Sequence, residues 1–140
     1  HISGGDDMML ASRKIKKNTK VLGVSVLTSL DSNQTNKYYN QKNISTLVKK
    51  FTQAAKQNKL DGVVCSPQEI KHIRKEVGEN FIIVTPGIRI YNKFKSDDQK
   101  RVETPNKAID LGANYLVIGR PITKSRDPLK TLKDINKSLI

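Results

Sequence analysis

Phe81-Ile82-Ile83-Val84-Thr85-Pro86-Gly87-Ile88-Arg89 decides the fold. Its first four residues are apolar without polar alternation, which reads as a strand covered on both faces, as in a parallel sheet flanked by helices. The Pro-Gly pair turns the chain, and an arginine follows at the start of the loop. The same device recurs at Tyr115-Leu116-Val117-Ile118-Gly119-Arg120-Pro121-Ile122-Thr123, where a second short apolar run gives way to glycine and arginine. Glycine lets an anion approach the backbone, and a guanidinium presents a planar fork of donors. Recognition of a phosphate monoester is the chemistry these strand ends suggest.

Outward from these runs, apolar segments alternate with helix-period segments. Strands are expected at 21–27, 62–65, 81–84 and 115–118, which predicts an α/β chain with parallel strands and crossover helices. Ser66-Pro67 with Glu69 reads as a capping box, Thr104-Pro105 and Asp127-Pro128 each place proline after an N-cap residue, and Gly112 supplies a stop. Ile44, Leu47, Val48, Phe51, Ala54 and Ala55 fall on one helical stripe; Leu129, Leu132, Ile135 and Leu139 fall on another. Both stripes are expected to pack on the sheet. The polar stretches 31–43 and 90–100 read as loops leaving the C-terminal ends of strands, where α/β proteins hold ligands. His1-Ile2-Ser3-Gly4-Gly5 reads as the end of a strand and the turn after it, with the glycine pair too short for a phosphate cradle.

Charge is the other large feature. Lysine and arginine number 26 against 13 acidic residues, a formal +13. The cations are scattered and only 5% of residues are aromatic, so a solvated basic surface is expected rather than a platform for nucleic acid or an acidic membrane. The single cysteine, Cys65, excludes an internal disulfide framework and, closing Gly62-Val63-Val64, reads as a small core residue and not a nucleophile. His1 and His72 have no further His or Cys at ligand spacing, so no metal is expected. Nothing reads as a signal peptide or membrane span, and a cytoplasmic location is expected.

Five segments, in order, carry a resemblance: Val24-Ser25-Val26-Leu27-Thr28-Ser29, Asp61-Gly62-Val63-Val64-Cys65-Ser66, Thr85-Pro86-Gly87-Ile88-Arg89, Asp98-Gln99-Lys100-Arg101-Val102 and Ala113-Asn114-Tyr115-Leu116-Val117-Ile118-Gly119-Arg120-Pro121. Together they resemble the C-terminal half of the orotidine 5'-phosphate decarboxylases. The resemblance implies the C-terminal part of a TIM (β/α)8 barrel. Residues 1–140 would form a single partial-barrel domain of about four β/α units, from the end of strand 4 through helix 8. A complete barrel takes about 250 residues, and the chain has 140, so an upstream portion lost, cleaved or carried elsewhere is expected.

The family converts orotidine 5'-phosphate to UMP and carbon dioxide in de novo pyrimidine synthesis, without a cofactor. Matched residue by residue, Arg120 and the Gly119 N–H would contact the substrate phosphate, and Arg89 would add a second positive charge there. Gln99 would reach from the 90–100 segment to phosphate and base, and Thr28 would face the pyrimidine amide edge. Pro86 and Gly87 would shape the turn. Plainer readings stand beside these: Arg120 as a surface arginine paired with Asp127, Pro86 as purely conformational, Thr28 as a helix or turn cap. The family's catalytic motif, Asp-x-Lys-x-x-Asp on an early strand, crowds the substrate carboxylate with one carboxylate and protonates the resulting carbanion with the lysine. No such motif lies at a strand end here; Asp98-Gln99-Lys100 with Glu103 belongs to the phosphate-loop match. None of the residues present is therefore expected to be catalytic, and the chain alone is expected to be inactive, binding orotidine 5'-phosphate or UMP. Open sheet edges and an apolar inner face would favour a homodimer, pairing with an N-terminal half, or a repurposed role as a nucleotide-binding or assembly module.

Overall fold

The computed structural model describes residues 1–15, 17–90 and 101–139. After a 3-10 turn at Ile2–Gly4 come α1 (Asp6–Ile15), β1 (Leu22–Val24), α2 (Ser32–Tyr39), α3 (Ile44–Gln57) and β2 (Gly62–Val64). A second 3-10 turn, Pro67–Glu69, leads into α4 (Ile70–Val77) and β3 (Ile82–Thr85). Then follow α5 (Pro105–Asp110), β4 (Tyr115–Leu116), α6 (Arg120–Thr123) and α7 (Pro128–Ser138). The four strands form one sheet in the order β1-β2-β3-β4, parallel throughout. Pairing runs past the named strand ends: the Ser25 N–H donates to the Val64 carbonyl at 3.1 Å and the Val117 N–H to that of Thr85 at 2.9 Å.

Burial follows the apolar runs. Val63, Ile83, Ile88, Ile70, Ala55 and Ala108 are fully enclosed between the sheet and its helices. The α3 stripe packs as expected, with Leu47, Val48 and Ala55 buried and Ile44, Phe51 and Ala54 against the core. Gly62 permits a close approach of β2 to β3, because a Cβ there would collide with the Ile82 carbonyl oxygen.

Arg74, on α4, ties the sheet to its connections. Its Nη1 donates to the carbonyls of Gly78 at 2.7 Å and Phe81 at 2.8 Å, while Nη2 donates to Gly112 at 2.5 Å and to Asn114 Oδ1 at 2.9 Å. Asn114 Oδ1 also accepts from the Ile83 N–H at 2.8 Å, so one side chain joins α4, β3 and the entry to β4. Gly112 stops the preceding helix with φ of 106°, left-handed backbone that favours glycine.

Four expectations need correction. The opening residues form a 3-10 turn, not a strand end, and Gly5 follows at φ 89°. The 31–43 stretch holds helix α2, started by a capping box in which Asp31 Oδ1 accepts from the Gln34 N–H and Gln34 Oε1 from the Asp31 N–H. At Ser66 the hydroxyl accepts from the Gln68 N–H, one residue short of the amide the expected box would use, and the Glu69 carboxylate, still beside Ser66, also pairs with buried Arg101. Finally, Leu129, Leu132 and Leu139 remain exposed. Helix α7 rests on α6 and turns Thr131, Ile135 and Ser138 inward, since it follows the edge strand and does not cross the sheet.

Candidate functional site

All four strands point their C-terminal ends the same way, so the loops that follow them share one rim. After β3, Gly87 takes φ 77°, which frees the turn to reverse. Ile88 then pairs with Glu103 in a parallel bridge: the Arg89 N–H donates to the Glu103 carbonyl at 2.9 Å, and the Glu103 N–H to that of Gly87 at 3.2 Å. Arg89 is thereby held at the rim, 7% exposed, with Nη1 donating to the Ile88 carbonyl at 2.8 Å. After β4, Gly119 precedes α6 and its carbonyl accepts from Ile122 and Thr123, leaving Arg120 exposed at the first helical position.

These two loops meet over a cavity of about 890 Å³, within the range of small-molecule sites. Among the described residues, Arg89, Arg120 and Lys124 bring three cations to its wall, against one carboxylate, Asp134. Asn106 and Ser125 add neutral polar groups, and the Asn106 amide also donates to the Ser138 carbonyl, bracing α7 across the opening. Such a lining suits an anion carrying several acceptor oxygens.

Arg89 and Arg120 are thus brought together. Gly119 and half-buried Pro86 lie in the same loops without lining the cavity. Thr28 is buried beyond the end of β1, at the opposite side of the sheet from β4. Three strand spacings make that separation about 14 Å along a flat sheet. Gln99 and the 91–100 stretch lie outside the described residues.

A buried ion pair beneath the rim was not evident from the sequence. Arg101 Nη1 donates to Glu69 Oε1 at 2.5 Å, and Nη2 to the carbonyls of Val26 at 3.2 Å and Leu27 at 2.8 Å. Both partners are almost completely enclosed. Burial pushes the Glu69 carboxyl above its usual range, opposed by the adjacent guanidinium. Arg101 falls within the Asp-Gln-Lys-Arg segment, but its partner is 32 residues away, beyond the reach of any local pattern. Lys124 and Asp134 were missed for the same reason.

Cys65 is 1% exposed, and burial, reinforced by the nearby Glu69 charge, pushes its thiol far above the ordinary range. The thiol is accordingly a core group without nucleophilic character. His72 is exposed on α4. Among the described residues, no three His, Cys, Asp or Glu side chains gather as a metal site, and no helix is long and apolar enough to cross a membrane.

Comparison with known proteins agrees with this geometry. The family model for "Orotidine 5'-phosphate decarboxylase / HUMPS family" matches residues 1–135. An orotidine 5'-phosphate decarboxylase of Coxiella burnetii is 47% identical over 145 residues, taking in 99% of this chain and 61% of that protein. One from Pseudoalteromonas translucida is 42% identical over 144 residues, with the same two shares. Among solved structures, the orotidine 5'-phosphate decarboxylase from Lactobacillus acidophilus superposes with a TM-score of 0.81 at 30% identity, covering 99% of this chain and 61% of the other. The enzyme from Pyrococcus horikoshii, at 21% identity and a TM-score of 0.69 over 96% of this chain and 56% of its own, shows the shared fold. The chain therefore spans about 61% of the length of these curated relatives, its four parallel strands are part of a TIM barrel, and it belongs to the orotidine 5'-phosphate decarboxylase / HUMPS family.

Proposed function

We propose that this chain carries the phosphate- and pyrimidine-binding part of an orotidine 5'-phosphate decarboxylase site, acting in the conversion of orotidine 5'-phosphate to UMP and carbon dioxide. The observation that carries this reading is the pair Arg89 and Arg120, which reach one cavity from the loops after β3 and β4. In a barrel, loops after the last strands are a recurrent phosphate site, and two guanidiniums can share the charge of one phosphate monoester. Thr28 supplies the pyrimidine end, with Gly119 and Gln99 on the phosphate side and Pro86 setting the turn. Catalytic carboxylates and lysine are supplied from outside the 140 residues, and the protein works in the cytoplasm.

Titration with UMP tests this directly. Arg120→Ala is expected to weaken binding about tenfold or more, as loss of a charged contact requires. Equal affinity in wild type and variant would remove Arg120 from the site.

Assembly is favoured by a separate observation. Leu27, Tyr115 and Val117 are about half exposed or more at the two edge strands β1 and β4. Pairing with an N-terminal half or with a second copy would cover them. Sedimentation velocity distinguishes the outcomes, and a strictly monomeric species that binds no N-terminal fragment would refute assembly.

A further inference from the structure

The segment that begins at Arg101 crosses three strand ends. Its guanidinium holds the carbonyls of Val26 and Leu27, the last two residues before Thr28. At the next strand, Arg101 pairs with Glu69 and its own carbonyl accepts from the Ser66 hydroxyl at 3.4 Å. Two residues on, the Glu103 backbone brackets Arg89 through bonds to Gly87 and Arg89 themselves. Residues 101–103 therefore form a strap running from the Thr28 end of the sheet to the Arg89 end.

The strap is charged at its buried point. Arg101 is 6% exposed and Glu69 is 3% exposed, so the pair is shielded from water and its geometry is held by four polar contacts. Neither residue lines the cavity in which Arg89 and Arg120 meet, so neither is placed to touch a phosphate there. Their position suits fixing a distance: a ligand held at both ends is sensitive to the spacing of its two anchors, while a ligand held at one end is not.

We infer that Arg101, anchored by Glu69, is a positioning residue that sets the separation between Thr28 and Arg89 and so selects a complete pyrimidine nucleotide over its sugar phosphate. This inference rests on the nucleotide-binding reading above and deepens it, assigning the discrimination to a pair of buried residues that do not contact the ligand.

The test is titration of the full chain with UMP, ribose 5-phosphate and inorganic phosphate, in wild type and Arg101→Met. UMP affinity is expected to fall about tenfold or more in the variant, with ribose 5-phosphate and inorganic phosphate changing less than about twofold. Loss spread equally over all three ligands, or no loss for UMP, would overturn the inference. So would a wild type that binds UMP no better than ribose 5-phosphate. Glu69→Gln keeps the shape and a neutral acceptor for Arg101, and serves if Arg101→Met does not fold; the same selective loss, smaller in size, is expected. A wild type that binds none of the three ligands refutes the nucleotide-binding reading instead. Amide exchange then decides the strap alone: Arg101→Met should deprotect Leu30 and Arg89 together, and unchanged protection at both would overturn it.

Discussion

Replacing Arg74 with methionine keeps an unbranched apolar stem against the core and deletes the donors. Five acceptors lose a partner: the carbonyls of Gly78, Glu79, Phe81 and Gly112, and Asn114 Oδ1. Gly78 and Glu79 lie at the surface, where water replaces the lost bonds at little cost. Asn114 Oδ1 retains the Ile83 N–H. The loss is therefore concentrated in the part-buried Phe81 and Gly112 carbonyls, each left short of a charged donor. At roughly 1–2 kcal/mol for each, the destabilisation is about 3 kcal/mol. Urea unfolding followed by circular dichroism measures it: with a slope of about 1–3 kcal/mol per molar, the midpoint should fall by roughly 1–3 M with the slope unchanged. Arg74→Lys should recover only a fraction, because an ammonium cannot present the planar fork that reaches both carbonyls. A shift below about 1 kcal/mol in the methionine variant, or full recovery with lysine, would refute the account of Arg74 as the clamp between α4 and the β3–β4 connection.

Other expectations follow from buried groups. The folded state holds the Cys65 proton well above the ordinary thiol value of 9.0, whereas the unfolded chain releases it near that value. Stability should consequently be intact below that pH and fall above it, by about 1.4 kcal/mol per pH unit relative to Cys65→Ala; parallel stability profiles for the two proteins between pH 8 and 10.5 would disprove it. The Thr52 hydroxyl is buried without a hydrogen-bond partner, so Thr52→Val should raise stability by about 1 kcal/mol in thermal unfolding, and a loss would show that the hydroxyl is satisfied. Gly62→Ala places a methyl against the Ile82 carbonyl, which should cost about 3 kcal/mol or more in the same assay, and a neutral effect would contradict the strand spacing.

Strand placement was legible because each strand is a short apolar run bounded by polar or turn residues, a pattern that depends only on neighbours in sequence. Arg89, Gly119 and Arg120 could be assigned to the rim for the same reason: Gly119 and Arg120 come immediately after one such run, and Arg89 closes the short turn that follows another. Helix α2 escaped because Ser32-Asn33-Gln34-Thr35-Asn36-Lys37-Tyr38-Tyr39 has almost no apolar periodicity, and only Thr35 is buried. Its one local signal was the spacing of Asp31 and Gln34, a capping box in plain view. Glu69 was legible only in part. A carboxylate three residues after a serine is a sound capping pattern, and Glu69 does stay beside Ser66, but its pairing with Arg101, 32 residues away, is written in no local spacing. The Leu129, Leu132 and Leu139 stripe was read correctly as apolar, but which neighbour covers an apolar face is a tertiary matter that periodicity does not encode.

The order of the sheet has a consequence for how the molecule is made. Each strand pairs with the one synthesised just before it: Gly62 with Leu22, Ile82 with Gly62, Tyr115 with Val84. Among the described residues these three ladders all join neighbours in sequence, so closing them is inexpensive and this part of the sheet can lengthen by one strand at a time. A nascent chain that has emerged as far as residue 90 already contains β1, β2 and β3 with both of their ladders complete. The strap at 101–103 comes next, so these three strand ends can be tied together before Tyr115 and Leu116 add the β4 ladder.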